Sequence, residues 1–406
     1  MTPPRTPAPE PSAAVRRAVK RHVWNEPRTF RAATALGLEP WLEEEIRTIV
    51  GDELGAVRTV PGATTFDAPF DVAFALLLRL SVADALHLRL AEVPADAFPM
   101  LRGRLDRVRF DLWLPAAPRL RVEVRSRRSR LRDEEGLRRT VVQAVRAAGV
   151  AATPPTGDGP EGRDATLRVT LDRDRAEVWL DAAGAPLHRR GDADRPVVPG
   201  SLRETTAAAL ARFGTPPDAD RVIDPFCGSG TVLEEVAAHL DDRPVGARRR
   251  FALERSPVWR EGRMRHERRR ADGDRRMHAA RFVGIDRDRS ATDAARAALE
   301  ASGADPDRFA WIVGDARDPE VARAAVGHAV RPALVTNPPY GRRVGRDADE
   351  ADALLAAVLP RFPGASVALL YPRPDAVADL PGIVVEEVVR VRMRGLANAM
   401  IRGRIA

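Results

Sequence analysis

The sequence predicts an α/β chain whose C-terminal half is a largely parallel, doubly wound sheet. Three observations carry this. From residue 188 onward, short apolar runs alternate with helical stretches, the pattern of β-α units. The predicted strands end in Asp224-Pro225-Phe226-Cys227-Gly228-Ser229-Gly230-Thr231, Gly284-Ile285-Asp286, Gly314-Asp315-Ala316 and Asn337-Pro338-Pro339-Tyr340, glycine-, acid- and proline-marked turns that a parallel sheet places along one edge. Before residue 188 the pattern breaks into smaller stretches of mixed helix and strand, an α+β composition.

Residues 1–27 read as a disordered tail, rich in Pro and Ala, with a basic cluster at Arg16, Arg17, Lys20 and Arg21. A first unit is expected over 28–99. It opens with a strand at 30–34 and a helix at 38–49, where Leu38, Leu42, Ile46 and Ile49 share one face. Helix-like patterning continues at 71–80 and 82–90. A second unit is expected over 100–187. Leu120, Val122 and Val124 alternate with polar residues, a strand signature, and 134–148 reads as a helix. A loop rich in Pro and Gly follows at 153–163, then strands at 166–171 and 176–180 joined by Asp172-Arg173-Asp174-Arg175.

The third unit, 188–406, has expected strands at 221–223, 282–285, 310–313, 333–335 and 367–371 and helices at 231–240 and 290–301. Its arginine-rich stretch 248–281 reads as an insertion with helical character between the first two strands.

A chain of 406 residues with 44% hydrophobic content has room for two or three cored domains. No apolar run approaches roughly 18 residues, so no membrane span is expected. Residues 1–10 lack the apolar core of a secretory signal, and the single cysteine, Cys227, rules out an internal disulfide; both point to a reducing, cytoplasmic setting. The seven histidines form no HxxxH or HExxH group, so no metal is expected. The net charge of +8 points to a polyanionic partner. Lys20 is the only lysine and arginine is abundant throughout, so the position of the arginines carries more information than their number.

The glycines after the first strand let the backbone approach a ligand closely. No lysine follows them, so this is not a phosphate loop, and GxGxxG is not matched cleanly; a non-phosphate nucleoside fits better. Asp286 at the next strand tip suits ribose hydroxyls. It lies much further from Asp224 than the roughly 20 residues of a compact unit, and the arginine-rich insertion accounts for the excess. Asp315 suits an adenine amine. In Asn337-Pro338-Pro339-Tyr340, a carboxamide oxygen and a backbone carbonyl can accept both hydrogens of an exocyclic amine while an aromatic face stacks on its ring. Each motif alone is an ordinary turn or helix cap; their order in one α/β unit is what points to chemistry.

This ordered set resembles a class I S-adenosylmethionine-dependent methyltransferase of the amino-methylating kind. Leu180-Asp181-Ala182-Ala183-Gly184-Ala185-Pro186-Leu187-His188-Arg189-Arg190-Gly191 resembles the junction of THUMP-domain RNA guanine-N2 methyltransferases. Ser201-Leu202-Arg203-Glu204-Thr205-Thr206-Ala207-Ala208-Ala209, Phe251-Ala252-Leu253-Glu254-Arg255 and Ala33-Thr34-Ala35-Leu36-Gly37-Leu38-Glu39 resemble further segments of that family. The resemblance implies a Rossmann-like class I methyltransferase domain at 188–406, preceded by a ferredoxin-like α+β unit at 28–99 and a THUMP-like RNA-binding domain at 100–187. It implies that Arg203, Glu204, Thr205, the loop Asp224 to Thr231 (Pro225, Phe226, Cys227, Gly228, Ser229 and Gly230 between them), Asp286, Arg287, Asp315 and Ala316 bind S-adenosyl-L-methionine. Asn337, Pro338, Pro339 and Tyr340 would hold the target base. The chain departs from the family at Asp192-Ala193-Asp194-Arg195, where an aromatic–arginine pair is expected.

The expected partner is structured RNA, a tRNA or 23S rRNA, gripped through Arg121, Arg125, Arg127, Arg128 and Arg130, with methylation at a guanosine N2 amine. Few aromatics lie near these arginines, which favours shape and backbone contacts over base stacking. Covalent cysteine chemistry is excluded because Cys227 lies in the cofactor loop. Two other classes share features of the sequence. A DNA adenine or cytosine amino-methyltransferase would use the same Asn-Pro-Pro-Tyr logic, and a non-catalytic RNA-binding or assembly protein could keep the fold.

Overall fold

The computed structural model describes residues 11–24, 26–157, 164–191, 201–339, 348–377, 380, 382–393 and 395–406.

Residues 1–10 of the expected disordered tail lie outside the described residues, and the rest of it is a correction. Helix α1 spans Ala13–His22, capped by Ser12, whose hydroxyl accepts from the Val15 amide at 3.3 Å, and strand β1 begins at Pro27. Val19 and Val23 are fully buried, and the Trp24 ring lies 5.5 Å from Phe70 and 5.9 Å from Phe74. Val15, Val19 and Val23 recur at helical spacing, but this apolar stripe becomes visible as a core face only once a partner is placed against it.

Strands β1 (Pro27–Ala33), β2 (Val57–Val60), β3 (Ala63–Pro69), β4 (Ala85–Pro94), β5 (Leu120–Arg127), β6 (Ala165–Asp172) and β7 (Arg175–Asp181) form one sheet in the order β2-β3-β1-β4-β7-β6-β5. It is antiparallel except for the β5–β6 pair. Helices α2 (Glu39–Val50), α3 (Val72–Arg79), α4 (Phe98–Leu105) and α5 (Glu134–Ala147) accompany it. Residues 82–90, expected to be helical, lie largely in β4. Leu86, His87 and Leu88 are successive buried residues, and such a short apolar run has no period that separates a central strand from a buried helix. β4 and β7 pair across the expected boundary at 99, with Leu88 opposite Leu180, so residues 28–99 and 100–187 build a single sheet.

The C-terminal half contains α6 (Glu204–Gly214), β8 (Arg221–Asp224), α7 (Thr231–Leu240), α8 (Glu261–Gly273), β9 (Arg281–Asp286), α9 (Arg289–Ser302), β10 (Phe309–Val313), α10 (Pro319–Val326), β11 (Pro332–Thr336), α11 (Ala348–Val358), β12 (Ser366–Tyr371), β13 (Ile383–Met393) and β14 (Leu396–Ile405). The sheet order is β10-β9-β8-β11-β12-β14-β13. The first five strands are parallel, and β14 enters antiparallel between β12 and β13. This is the class I methyltransferase fold. The chain runs outward from β8 through β9 to β10, then returns to β11 on the other side of β8. The crevice at such a reversal is where open α/β sheets bind ligands.

The arginine-rich insertion supplies α8, which packs on α3 of the N-terminal half. Arg263 pairs with Asp71 at 3.0 Å, and Arg79 pairs with Asp274. The Gly246 amide donates to the Leu78 carbonyl at 2.8 Å, and a Cβ there would collide with the Leu77 carbonyl. Beside this seam, buried Arg190 binds Glu235 at 2.9 Å and donates to the Ser81 carbonyl at 2.8 Å. At the other end, the Arg392 amide donates to the Leu36 carbonyl at 2.8 Å. One hydrophobic core runs from α1 to β14. No helix among the described residues is long and apolar enough to cross a membrane.

Candidate active site

The C-terminal tips of β8, β9, β10 and β11 bring Asp224, Asp286, Asp315 and Asn337 to one edge of the sheet. Parallel strands in this register necessarily present their end residues together.

Asp224 is buried, and its Oδ1 accepts from the Thr336 hydroxyl at 2.6 Å and the Phe226 amide at 3.1 Å. Burial pushes its carboxyl up to about 7, against the pull of these two donors and with a further push from the Asp286 charge. The loop then turns through Gly228 and Gly230, both in the left-handed region at φ 49° and 75°. Gly228 has open space where a side chain would stand, whereas a Cβ on Gly230 would meet the Trp311 ring at 2.8 Å. Opposite Trp311 in the β9–β10 ladder stands Gly284, where a Cβ would strike both the indole and the Cys227 sulfur. The loop thus rests on Trp311, and only glycine permits that approach. Ser229 is buried, and its hydroxyl is 3.1 Å from that of Ser201 and 3.4 Å from that of Thr231. Cys227 is buried too, and desolvation raises its thiol well above the ordinary range, which leaves it un-ionised and unsuited to nucleophilic attack.

Asp286 ties β9 to the loop. Its Oδ2 accepts from the Gly228 amide at 3.0 Å and its Oδ1 from the Asp288 amide at 2.9 Å. Asp315 is gripped by Arg317 through both oxygens, at 3.0 Å and 2.6 Å, which holds its carboxyl down at about 2. Exposed Arg287 stands 4.0 Å from Asp315, and Ala316 is buried behind it.

Asn337 follows β11 directly. Its Oδ1 is buried and has no hydrogen-bond partner among the described residues. Pro338 is buried and Pro339 half-buried, and Tyr340 lies outside the described residues. So does the expected departure at 192–195.

Arg203, Glu204 and Thr205 open α6, one turn after Ser201 meets the loop. The Thr205 hydroxyl donates to Asp84 Oδ1 at 2.8 Å, and Arg203 lies 3.6 Å from Asp84 Oδ2. Asp84 sits just before β4 on the N-terminal half, so these side chains link the two sheets. Of the arginines expected to hold RNA, Arg128 binds Asp172 at 2.8 Å and 2.6 Å. Arg130 is 3.5 Å from Asp96, and Arg121 donates to the Gly157 carbonyl at 2.9 Å. Arg125 and Arg127 are exposed on β5.

Sequence reasoning missed Thr336, Trp311, Arg317 and Asp84. Thr336 carried a signal, a hydroxyl at the end of an apolar strand beside the Asn-Pro-Pro motif. Trp311 becomes legible only through its pairing with Gly284, and Asp84 had no local signal at all.

The RMKL-like methyltransferase domain family UPF0020 matches residues 193–364. A ribosomal RNA large subunit methyltransferase K/L of Syntrophotalea carbinolica is 30% identical over 345 residues, 82% of this chain and 47% of that protein. Its namesake from Marinobacter nauticus is 27% identical over 323 residues, 76% of this chain and 43% of that protein. The chain therefore spans about half the length of these curated relatives. Among solved structures, SMU.472 complexed with SAH aligns with a TM-score of 0.77 at 22% identity, over 94% of this chain and 99% of that one. TrmN from Thermus thermophilus aligns with a TM-score of 0.67 at 22% identity, over 93% and 100%. The shared fold thus extends through the N-terminal sheet.

The crevice suits a nucleoside-bearing cofactor such as the SAH held by SMU.472. The backbone lies open at Gly228, carboxylates end β9 and follow β10, and a buried acceptor awaits a donor at Asn337.

Proposed function

From a chain whose residues 193–364 carry an RMKL-like methyltransferase domain, we propose an RNA methyltransferase that modifies the exocyclic N2 amine of a guanosine in large-subunit ribosomal RNA. The observation that carries this reading is the buried Oδ1 of Asn337, which has no partner among the described residues and can accept an N–H donor. The kinship with ribosomal RNA large subunit methyltransferases K/L favours ribosomal RNA over tRNA.

In this reading the loop from Asp224 to Thr231 cradles the cofactor, with Arg203, Glu204 and Thr205 at its flank. Asp286 holds the ribose, and Asp315 with Ala316 meets the adenine, beside Arg287. Asp286 and Asp315 keep acceptor capacity for this beyond the bonds they already make. Bound S-adenosylmethionine supplies an electrophilic methyl on a sulfonium. Asn337 Oδ1 and the Pro338 carbonyl accept the two amine hydrogens and orient the nitrogen lone pair at that carbon. The new N–C bond forms as the S–C bond breaks, and the two acceptors stabilise positive charge developing on nitrogen before a proton leaves to solvent. Asn337 is held extended by the proline that follows it, so the array is set before substrate arrives. Tyr340 stacks on the base, and Pro339 stiffens the turn. Residues 100–187 deliver the RNA as a THUMP-like unit, through Arg121, Arg125, Arg127, Arg128 and Arg130.

The test is methyl transfer from labelled S-adenosylmethionine to unmodified ribosomal RNA, transfer RNA and DNA, digested to nucleosides. Label in N2-methylguanosine from ribosomal RNA, lost in Asn337→Ala while cofactor binding persists, is the expected result. Label in DNA alone would overturn the RNA assignment, and full turnover by Asn337→Ala would overturn its role.

A further inference from the structure

A second cavity, of about 960 Å³, lies away from the crevice and between α1 and the start of α8. Its lining includes Arg16, Arg17, Lys20, Arg260 and His266, with Trp24 beside them, and no aspartate or glutamate among the described residues lines it. From these groups the geometry points to a docking site for the phosphodiester backbone of RNA, separate from the methyl-transfer crevice. This inference rests on the RNA reading above.

In so arginine-rich a chain, basic side chains are unremarkable unless they lack partners. Many have carboxylate partners, such as Arg190 with Glu235 at 2.9 Å, Arg308 with Asp241 at 2.8 Å and Arg175 with Glu92 at 2.7 Å. Arg263 is paired with Asp71 and Glu267, but no carboxylate among the described residues lies within ion-pairing distance of Arg17 or Lys20. Among the described residues Arg260 donates to the carbonyls of Pro257 and Trp259, at 3.1 Å and 2.9 Å, and burial with the neighbouring Arg16 charge depresses its basicity. The fold holds like charges together, and a polyanion relieves that repulsion.

Two features favour backbone phosphate over bases. Arginine and lysine donate charge-assisted hydrogen bonds to phosphate oxygens. The aromatic in the cavity is already engaged: Trp24 packs on Phe70 and Phe74, with the Arg260 guanidinium 5.8 Å from its ring, so it does not serve as a stacking platform. Val19 is buried in the core while Arg16, Arg17 and Lys20 are exposed, so packing fixes the face that α1 turns outward. Contacts of this type set register without reading sequence.

Lys20 is the only lysine, which makes the test direct. An amine-acylating ester applied to the full chain labels Lys20 and the α-amino group, and mass spectrometry separates the two. Ribosomal RNA should slow labelling of Lys20 several-fold at low salt. The Arg17→Glu/Lys20→Glu variant should bind RNA at least tenfold more weakly, with a salt-dependence slope reduced by about 2. Its thermal melt, cofactor affinity and kcat at saturating RNA should stay near those of the wild type. Wild-type protein that methylates RNA while Lys20 reacts equally with and without it, and while the variant binds as tightly, would overturn this site alone. Wild-type protein that neither binds nor methylates RNA would remove both this site and the function it rests on. Protection by phosphatidylserine vesicles but not by RNA would overturn the site in favour of a membrane surface.

Discussion

Thr336 donates its hydroxyl to Asp224 across 2.6 Å, and both residues are buried. One ends the strand before the Asn-Pro-Pro turn, and the other begins the glycine loop. A single hydrogen bond therefore fastens the amine-binding end of the crevice to its cofactor-binding end.

Replacing Thr336 with valine keeps the shape and removes the donor. A buried carboxyl that loses a donor destabilises the fold by about 1–3 kcal/mol, measured by urea unfolding. Thr336→Ser should restore most of that and recover turnover. A valine variant of unchanged stability and kcat would show that the bond couples nothing.

Asp224 gives the protein a distinct pH profile. Its carboxyl titrates near 7 in the fold and near 3.8 when unfolded, so between these values the folded chain holds a proton that the unfolded chain has released. Stability from this group is full below the lower value and is lost as pH rises towards 7. Each unit of separation is worth about 1.4 kcal/mol. The stability difference between wild type and Asp224→Asn should slope against the wild type from pH 4 to 7 and level off above. A flat difference across that range would mean that the carboxyl ionises normally.

Gly284→Ala puts a methyl group into the Trp311 ring and the Cys227 sulfur. Overpacking of this kind costs about 1–3 kcal/mol. It should also weaken cofactor binding, because Trp311 lies under the loop at Gly230. Adding Trp311→Leu should recover part of both losses, read by thermal melting and cofactor titration. Full stability in the single variant would show that the contact yields easily.

Arg317 orients Asp315 from an exposed position. Asp315→Ala should weaken cofactor affinity at least tenfold, whereas Arg317→Ala should change it less than threefold and raise the pH at which binding is lost on the acid side. Equal losses in the two variants would make Arg317 itself a cofactor contact.

Much of the C-terminal domain was legible from the sequence. The expected strands at 221–223, 282–285, 310–313, 333–335 and 367–371 all formed, because each is a short apolar run, and the first four lead into a turn marked by Asp224, Asp286, Gly314 or Asn337. The helical character of the insertion was legible too. The hairpin β13–β14 was not, since the exposed Val384, Val385 and Val388 do not alternate cleanly with polar residues. Nor was α1, whose two valines sit in a stretch of tail-like composition.

What the sequence determined by itself was local: which residues end each strand, where the backbone must turn left-handed, and which side chains carry acceptors. Tertiary structure alone decided the relationships between distant segments. Thr336 reaches Asp224, Gly284 receives Trp311, Asp84 anchors Thr205, and α1 faces α8 across a basic cavity. Periodicity and turn chemistry act over a few residues. The partner of a hydroxyl or a guanidinium depends on strand order and helix packing, which emerge only when the whole core closes.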